Sequence, residues 1–299
     1  TNNFDSFLYK FSPDGEGYVF SAKVTEAKNT TFIKFGAHYD QLYKSAALLN
    51  LTKKQLLLKN DVLSLDFILG DNSRYNFDYY IDKGFYWSVG INSKYIGFTN
   101  FTNPRSLISE SVDPDIDKIQ MNFSEFTHQF FVETLIKKDL ALKIGIELKD
   151  LKITTNDNVF LTVFDTPEYK FEDGEYYSLF GSIKIDTIDN ELFPTSGFLF
   201  EGSSKFYFGS SALRDDFNEL SIFKSKISKA FTIVDKLSIN ITTEGGFKVG
   251  NSNTKALHFG LGGYGSDYFN NYSTFYGYAY FSLNGNSYVK VDSTLDYEF

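Results

Sequence analysis

Three histidines and no cysteine set the range of side-chain chemistry open to this 299-residue chain. His38, His128 and His258 are far apart and none has a partner at i+4, so the usual helical spacing of a zinc site is missing. Each reads as a histidine at a strand or interface position. Without cysteine there is no disulfide, no thiolate metal site and no thiol nucleophile. Asp113, Asp115 and Asp117 alternate as Asp-x-Asp-x-Asp, and their carboxylates could hold Ca2+, yet the glycine and final glutamate of a calcium loop are missing. A solvated acidic loop is the simpler reading. Gly260, Gly262, Gly263 and Gly265 hint at a phosphate cradle, but no Lys-Ser/Thr pair or helix follows. That leaves a conformationally permissive loop. A serine hydrolase built on a nucleophile elbow would need G-x-S-x-G. No such pattern occurs, and neither Gly202-Ser203-Ser204 nor Gly265-Ser266-Asp267 supplies it. The residues predict a chain that is not an enzyme and holds neither metal nor cofactor.

Charged residues recur instead on one face of long alternating segments. Leu237, Ile239, Ile241, Phe247 and Val249 share one face, and Ser238, Asn240, Thr242, Glu244 and Lys248 the other. Lys143, Glu147 and Lys149 likewise oppose Leu142, Ile144, Ile146 and Leu148, and Lys290, Asp292 and Glu298 oppose Val289, Val291 and Leu295. Alternation with period two is the mark of a strand with one apolar and one polar face. Such a strand can cover a soluble core, or it can line a barrel that meets lipid outside and water inside. In the barrel reading Lys143, Glu147, Glu244, Lys248, Lys290 and Asp292 face the lumen. Their mixed signs suggest a hydrogen-bonded, occluded interior more than an ion-selective pore.

Composition narrows the classes. A net charge of −9 and the lack of a basic stripe exclude a nucleic-acid partner. Aromatic residues make up 18% of the chain, which suits strands and the girdles of a membrane barrel. No run of about 18 apolar residues is present, so no transmembrane helix is expected; a barrel, apolar at every second position only, stays open. The opening TNNFDS has no charged stretch followed by an apolar one, so no signal peptide is read there.

Residues 1–28 read as a small separate unit, with strands Phe4–Ser12 and Tyr18–Glu26 joined by a Pro13–Gly17 turn. Residues 29–299 carry thirteen candidate strands, at 31–40, 43–52, 60–70, 73–82, 85–101, 118–135, 139–154, 173–189, 196–209, 216–231, 235–250, 275–284 and 286–299. Short turns at Asp71-Asn72, Lys83-Gly84 and Lys137-Lys138 contrast with long polar connections at 102–117, 155–172 and 251–274. Short turns on one rim and long loops on the other suit an outer-membrane barrel. In 216–231, Leu220 and Ile222 share a face with Lys224 and Lys226, which also admits an amphipathic helix; its place between clean strands favours a strand.

The turn Glu191-Leu192-Phe193-Pro194-Thr195-Ser196-Gly197-Phe198 resembles the F-P-T-x-G turn of the bacterial outer-membrane assembly-factor, surface-antigen and two-partner-secretion superfamily. In that family the turn precedes the ninth barrel strand, and here it precedes the ninth of the thirteen. Phe259 to Gly265, with Gly262-Gly263, and the segment through Thr274, Phe275, Tyr276, Gly277 and Tyr278 resemble the family's sixth extracellular loop. That loop carries a V-R-G-[FY] tip inside the lumen, where Tyr276 here replaces the arginine. Asn284, Gly285, Asn286 and Ser287 resemble the family's G-G-N strand. The N-terminal hairpin resembles the end of a POTRA repeat. The aromatic-rich style and the Gly-Gly-Tyr-Gly loop look most like the barrels of patatin-like phospholipases in Bacteroidota.

The resemblance implies an all-β fold: an antiparallel transmembrane barrel of about sixteen strands when complete, about three of them beyond Phe299, after a small POTRA remnant. It implies the outer membrane of a diderm bacterium, contact with lipid, and a role in anchoring or translocating a passenger, a patatin-like phospholipase domain absent from this chain. Other periplasmic or outer-membrane proteins are further expected partners. Three alternatives stay open: an outer-membrane assembly or insertion factor, a diffusion porin, and a soluble β-sandwich acting as a binding module.

Overall fold

The computed structural model describes residues 4–15, 17–26, 29–40, 42–107, 116–157, 168–211, 217–250, 254–264 and 269–298. Asp113, Asp115, Gly265, Ser266 and Asp267 lie outside them. Two strands, β1 (Phe4–Asp14) and β2 (Gly17–Glu26), form a hairpin that is a sheet of its own. Its rings Phe7, Tyr9, Phe11 and Phe20 are exposed and pack on one another, with Phe11 and Phe20 5.3 Å apart.

The remaining long strands build one antiparallel meander. They are β3 (Thr31–Asp40), β4 (Lys44–Lys54), β5 (Asp61–Gly70), β6 (Arg74–Ile81), β7 (Ser88–Thr102), β8 (Ile119–Lys137), β9 (Leu140–Thr155), β10 (Tyr169–Asp186), β11 (Gly197–Ser210), β12 (Leu220–Val234) and β13 (Leu237–Gly250). After a long loop the chain returns as β17 (Ser287–Tyr297), completing a sheet of 12 strands in the order β3 through β13 and then β17. Within the loop, β14 (Phe259–Leu261), β15 (Tyr272–Ser273) and β16 (Leu283–Gly285) form a small third sheet. Among the described residues no helix is long and apolar enough to cross a membrane.

Twelve of the thirteen candidate strands correspond to strands of the large sheet; 275–284 does not. Tyr276, Tyr278 and Tyr280 alternate with Gly277 and Ala279 as a strand would, but these rings and the flanking Phe275 and Phe281 pair within the loop and against the sheet. Phe281 is left-handed at φ 56°, which breaks any extended run. The turn at Asp71-Asn72 joins β5 to β6 at the same end of the sheet as the connections 103–118, 156–168, 211–219 and 251–286, so that rim holds short as well as long connections. The segment 216–231 is β-structure from Leu220 onward.

Burial along the longest strands shows why the pattern resists a single label. In β9, Ile144 and Ile146 point outward and are exposed, while Glu147 and Lys149 point inward and are buried. Farther along the same strand the chemistry changes sides: Asp150 is outward, and Leu151 and Ile153 are buried on the inner face. β8 does the same, with Phe130 exposed near the turns and Ile119, Met121 and Phe123 buried inward near the loops. Leu220 and Ile222 are the β12 members of this buried group, and Lys224 and Lys226 continue the same face where it becomes polar. A strand longer than a bilayer is wide must leave it, and above that level the apolar side is the one covered by protein.

Candidate functional site

The loop segments 254–264 and 269–285 lie against the inner face, and the sheet is shaped to receive them. Leu257 and Phe259 are fully buried. A Cβ on Gly246 of β13 would stand 2.7 Å from the Phe259 ring, so this glycine makes the seat for that side chain. Gly262 and Gly263 have φ of +141° and +68°, and Cβ atoms there would collide with the Ala279 carbonyl and the Tyr280 ring. Phe269 meets Phe98 of β7 edge-on at 5.1 Å and Phe123 of β8 at 5.6 Å. Phe281 stacks on Phe123 at 5.3 Å. Such aromatic pairs add to the burial of apolar area.

Beneath these rings the loop is held by charge. Glu125 of β8 is 1% exposed and accepts a 2.7 Å hydrogen bond from the Asn270 backbone N–H. Its carboxylate is also 3.5 Å from Lys149 Nζ and 3.8 Å from Lys94 Nζ, and it accepts from Thr127 at 2.9 Å. Lys149 donates in turn to Asn270 Oδ1 at 3.1 Å. Glu147 sits next to this cluster, paired with Lys205 at 2.6 Å and accepting from Gln129. Burying these carboxylates is tolerable because each is paired and hydrogen-bonded.

A second hold lies on β13 and β17. Glu244 accepts from Ser273 Oγ at 2.8 Å and from Tyr288 OH at 2.5 Å, and pairs with Lys290 at 3.0 Å. Lys290 also donates to the Thr274 carbonyl at 3.0 Å. The sheet's own acids and lysines thus grip the loop through its backbone, a serine and an asparagine, with no arginine from the loop. Tyr276 is exposed and rests on Tyr264 at 5.5 Å, while Tyr278 rests on Phe275. Gly277 has φ +83°. Gly285 pairs with Phe259 across the small sheet, and the Asn286 carbonyl accepts from Lys248 N–H.

Glu244 and Lys290 belong to a longer pattern. The cross-strand partners Lys184, Glu201, Lys226, Glu244 and Lys290 run across β10, β11, β12, β13 and β17 with alternating sign. Opposite charges facing across strands are the favourable arrangement. Elsewhere Lys143 pairs with Glu133 at 2.9 Å, Lys248 reaches the Thr254 carbonyl at 3.5 Å, and Asp292 lies exposed on β17. His38 contacts Asp40 at 3.2 Å and Arg74 at 3.3 Å. His258, within the loop, has its pKa lowered to about 4, first by burial and then by Lys248 and Lys255.

At the other rim, Asp189 organises the turn that contains Phe193 to Gly197. It accepts from the Thr195 and Ser196 N–H groups at 3.0 and 3.2 Å and from both hydroxyls. The Thr195 hydroxyl first, then the Ser196 backbone N–H, hold its carboxyl well below the usual carboxylate range. Pro194 is buried, Phe193 exposed, and Gly197 takes φ +116° against the Thr187 carbonyl. The sequence reading passed over Asp189, Glu125 and Lys205. The available signals were an Asp six residues before a Thr in a turn, and a lone Glu on a face otherwise made of Ile119, Met121 and Phe123.

A large antiparallel sheet with an apolar outer band, and a loop folded onto a charged inner face, are features shared with outer-membrane β-barrels. The OMP85 superfamily profile matches residues 18–299, and the chain belongs to that superfamily. Among solved structures it is similar to BamA from Haemophilus ducreyi lacking POTRA domains 1–3, at TM-score 0.65 and 15% identity, covering 98% of this chain and 58% of that one. It is also similar to CdiB from Acinetobacter baumannii, at TM-score 0.54 and 11% identity, covering 99% of this chain and 53% of that one. The chain therefore spans little more than half the length of either. No curated protein matches it.

Proposed function

We propose that this chain is the outer-membrane barrel of a longer protein and that it anchors or exports a passenger, with the loop 254–285 as an internal plug. The observation that carries this reading is the loop seat: a membrane barrel that fixes a loop on its inner wall through Glu125, Lys149, Glu244 and Lys290 is built to keep its lumen filled. A diffusion porin would need that space open. Residues 1–28 are then the end of a POTRA repeat, 29–299 the barrel, and the passenger a patatin-like phospholipase domain. Lys143, Glu147, Glu244, Lys248, Lys290 and Asp292 line the lumen, and lipid meets Ile144, Ile146, Ile241 and Phe247.

The test uses the full-length protein in its own outer membrane. Unheated and boiled samples should differ in gel mobility, as closed barrels do, and protease added to intact cells should reach the passenger. With Glu244→Gln the mobility shift should persist while passenger exposure falls several-fold. Loss of many other outer-membrane proteins on depletion of this one would favour the assembly-factor reading instead. Solubility in plain buffer without a mobility shift would end the membrane reading.

A further inference from the structure

Between the loop tip and the wall lies a cavity of about 860 Å³. Its charged lining comprises Lys184, Lys224, Lys226 and Lys290 against Glu201 and Glu244. Both glutamates close onto other lysines, Glu201 onto Lys184 at 3.4 Å and Glu244 onto Lys290 at 3.0 Å. Lys224 and Lys226 are left without an ion pair among the described residues. In a chain of net charge −9, this space is locally cationic. Around Lys224 the wall offers hydroxyls: Ser182 faces Ser203 and Ser203 faces Lys224 in strand register. Lys224 Nζ also lies 5.7 Å from the centroid of the Phe259 ring, which places it at the foot of the loop.

We propose that this cavity binds a phosphate-bearing anion, either free phosphate or the headgroup of a phospholipid, between Lys224, Lys226 and the Ser182 and Ser203 hydroxyls. Ammonium groups bind phosphate as point charges, and neighbouring hydroxyls complete its oxygen shell. The volume is that of a small-molecule site. An acidic peptide is the poorer match, because the wall strands β10 to β13 each have a partner on both sides and expose no edge to pair with an extended chain. This site adjoins the loop hold at Glu244 and Lys290, which form part of its lining, and it does not depend on which passenger the barrel carries.

The experiment takes the full-length protein in a neutral detergent and measures equilibrium binding of inorganic phosphate and of dihexanoyl phosphatidic acid. Saturable phosphate binding that weakens at least about tenfold in Lys224→Gln/Lys226→Gln, and is unchanged in the outward-facing Lys229→Gln, supports a free-phosphate site. Saturation by phosphatidic acid alone, with the same loss, supports a headgroup site. The proposal fails if neither ligand saturates the wild type, or if the folded double variant binds as well as the wild type. A measurement on the wild type covers a double variant that does not fold. Bound ligand should shield Lys224 and Lys226, and not Lys229, from acetic anhydride, and absence of that shielding overturns the site.

Discussion

The inner face of the sheet is two surfaces joined end to end. Toward the loops, Met121, Phe123, Leu151, Ile153, Leu220 and Ile222 form a protein core with Leu257, Phe259 and Phe269 above them. Toward the turns, the same face of the sheet carries Glu147, Lys205, Lys226 and Glu244, while Ile146, Ile227 and Ile241 stand exposed outside. The crossover falls at Glu125 and Lys149, the pair that also receives Asn270. The strands therefore carry two different patterns end to end. Near the loops, the folded-back loop covers an apolar inner side; near the turns, the inner side is polar and the apolar side chains stand outside, as the proposed lipid contact requires.

The sharpest way to break the contrast is at its seam. Glu125→Ala should cost about 3–5 kcal/mol, because Lys149 would be left buried without its carboxylate. Phe269→Ala should cost a similar amount, about 3–5 kcal/mol, by emptying the seat between Phe98 and Phe123. Both would be read as the denaturant midpoint of the heat-modifiable form. Truncating the exposed Tyr276 in the same loop should change that midpoint by no more than about 0.5 kcal/mol.

An outward arginine sharpens the lipid half. Ile146→Arg should cost roughly 2–4 kcal/mol in bilayers, against about 0–1 for Asn122→Arg on the outer side of β8 beyond the crossover. Equal costs would place both in one solvent and remove the distinction.

Two pH effects complete the series. His258 is neutral in the seated loop, with a native pKa of about 4 against 6.5 for the free side chain. The seat should be fully held above pH 6.5 and should loosen as pH falls from there toward 4, since the unseated loop takes up the proton first. Limited proteolysis of 254–285 across that range measures it, and His258→Asn should flatten the profile. Asp189 has the smallest expected effect. Its carboxyl is held below the free value of 3.8, so its contribution is present above pH 4 and is lost as pH falls through the native value. Asp189→Asn should remove that acid limb without altering stability at the loop rim.

Much of this is legible in the amino-acid sequence. Alternation in 237–249 and 140–149 identified strands because each side chain there has one environment along its whole face. The turn around Pro194 and the glycine pair Gly262-Gly263 stood out because their backbone conformations demand those residues. The reading failed where one face serves two environments. Leu220 and Ile222 beside Lys224 and Lys226 admitted a helix, since nothing in a strand's own residues marks where lipid stops. It failed again at 275–284, where aromatic alternation expresses packing inside a loop and not pairing in a sheet. The Glu125 site was invisible because its partners Lys94, Lys149 and Asn270 come from distant parts of the chain.

The alternating row from Lys184 to Lys290 has a bearing on how the strands find one another. Side chains on a lipid-facing band are interchangeable among themselves, so a slip of two residues between neighbouring strands would leave the outer face just as apolar. On the inner face the same slip would set Lys226 against Ser203 or Thr242 in place of Glu201 and Glu244. A slip of one residue would send the charges into lipid. The row therefore acts as a key cut across five strands, fixing register in the part of the sheet where hydrophobicity carries none of that information.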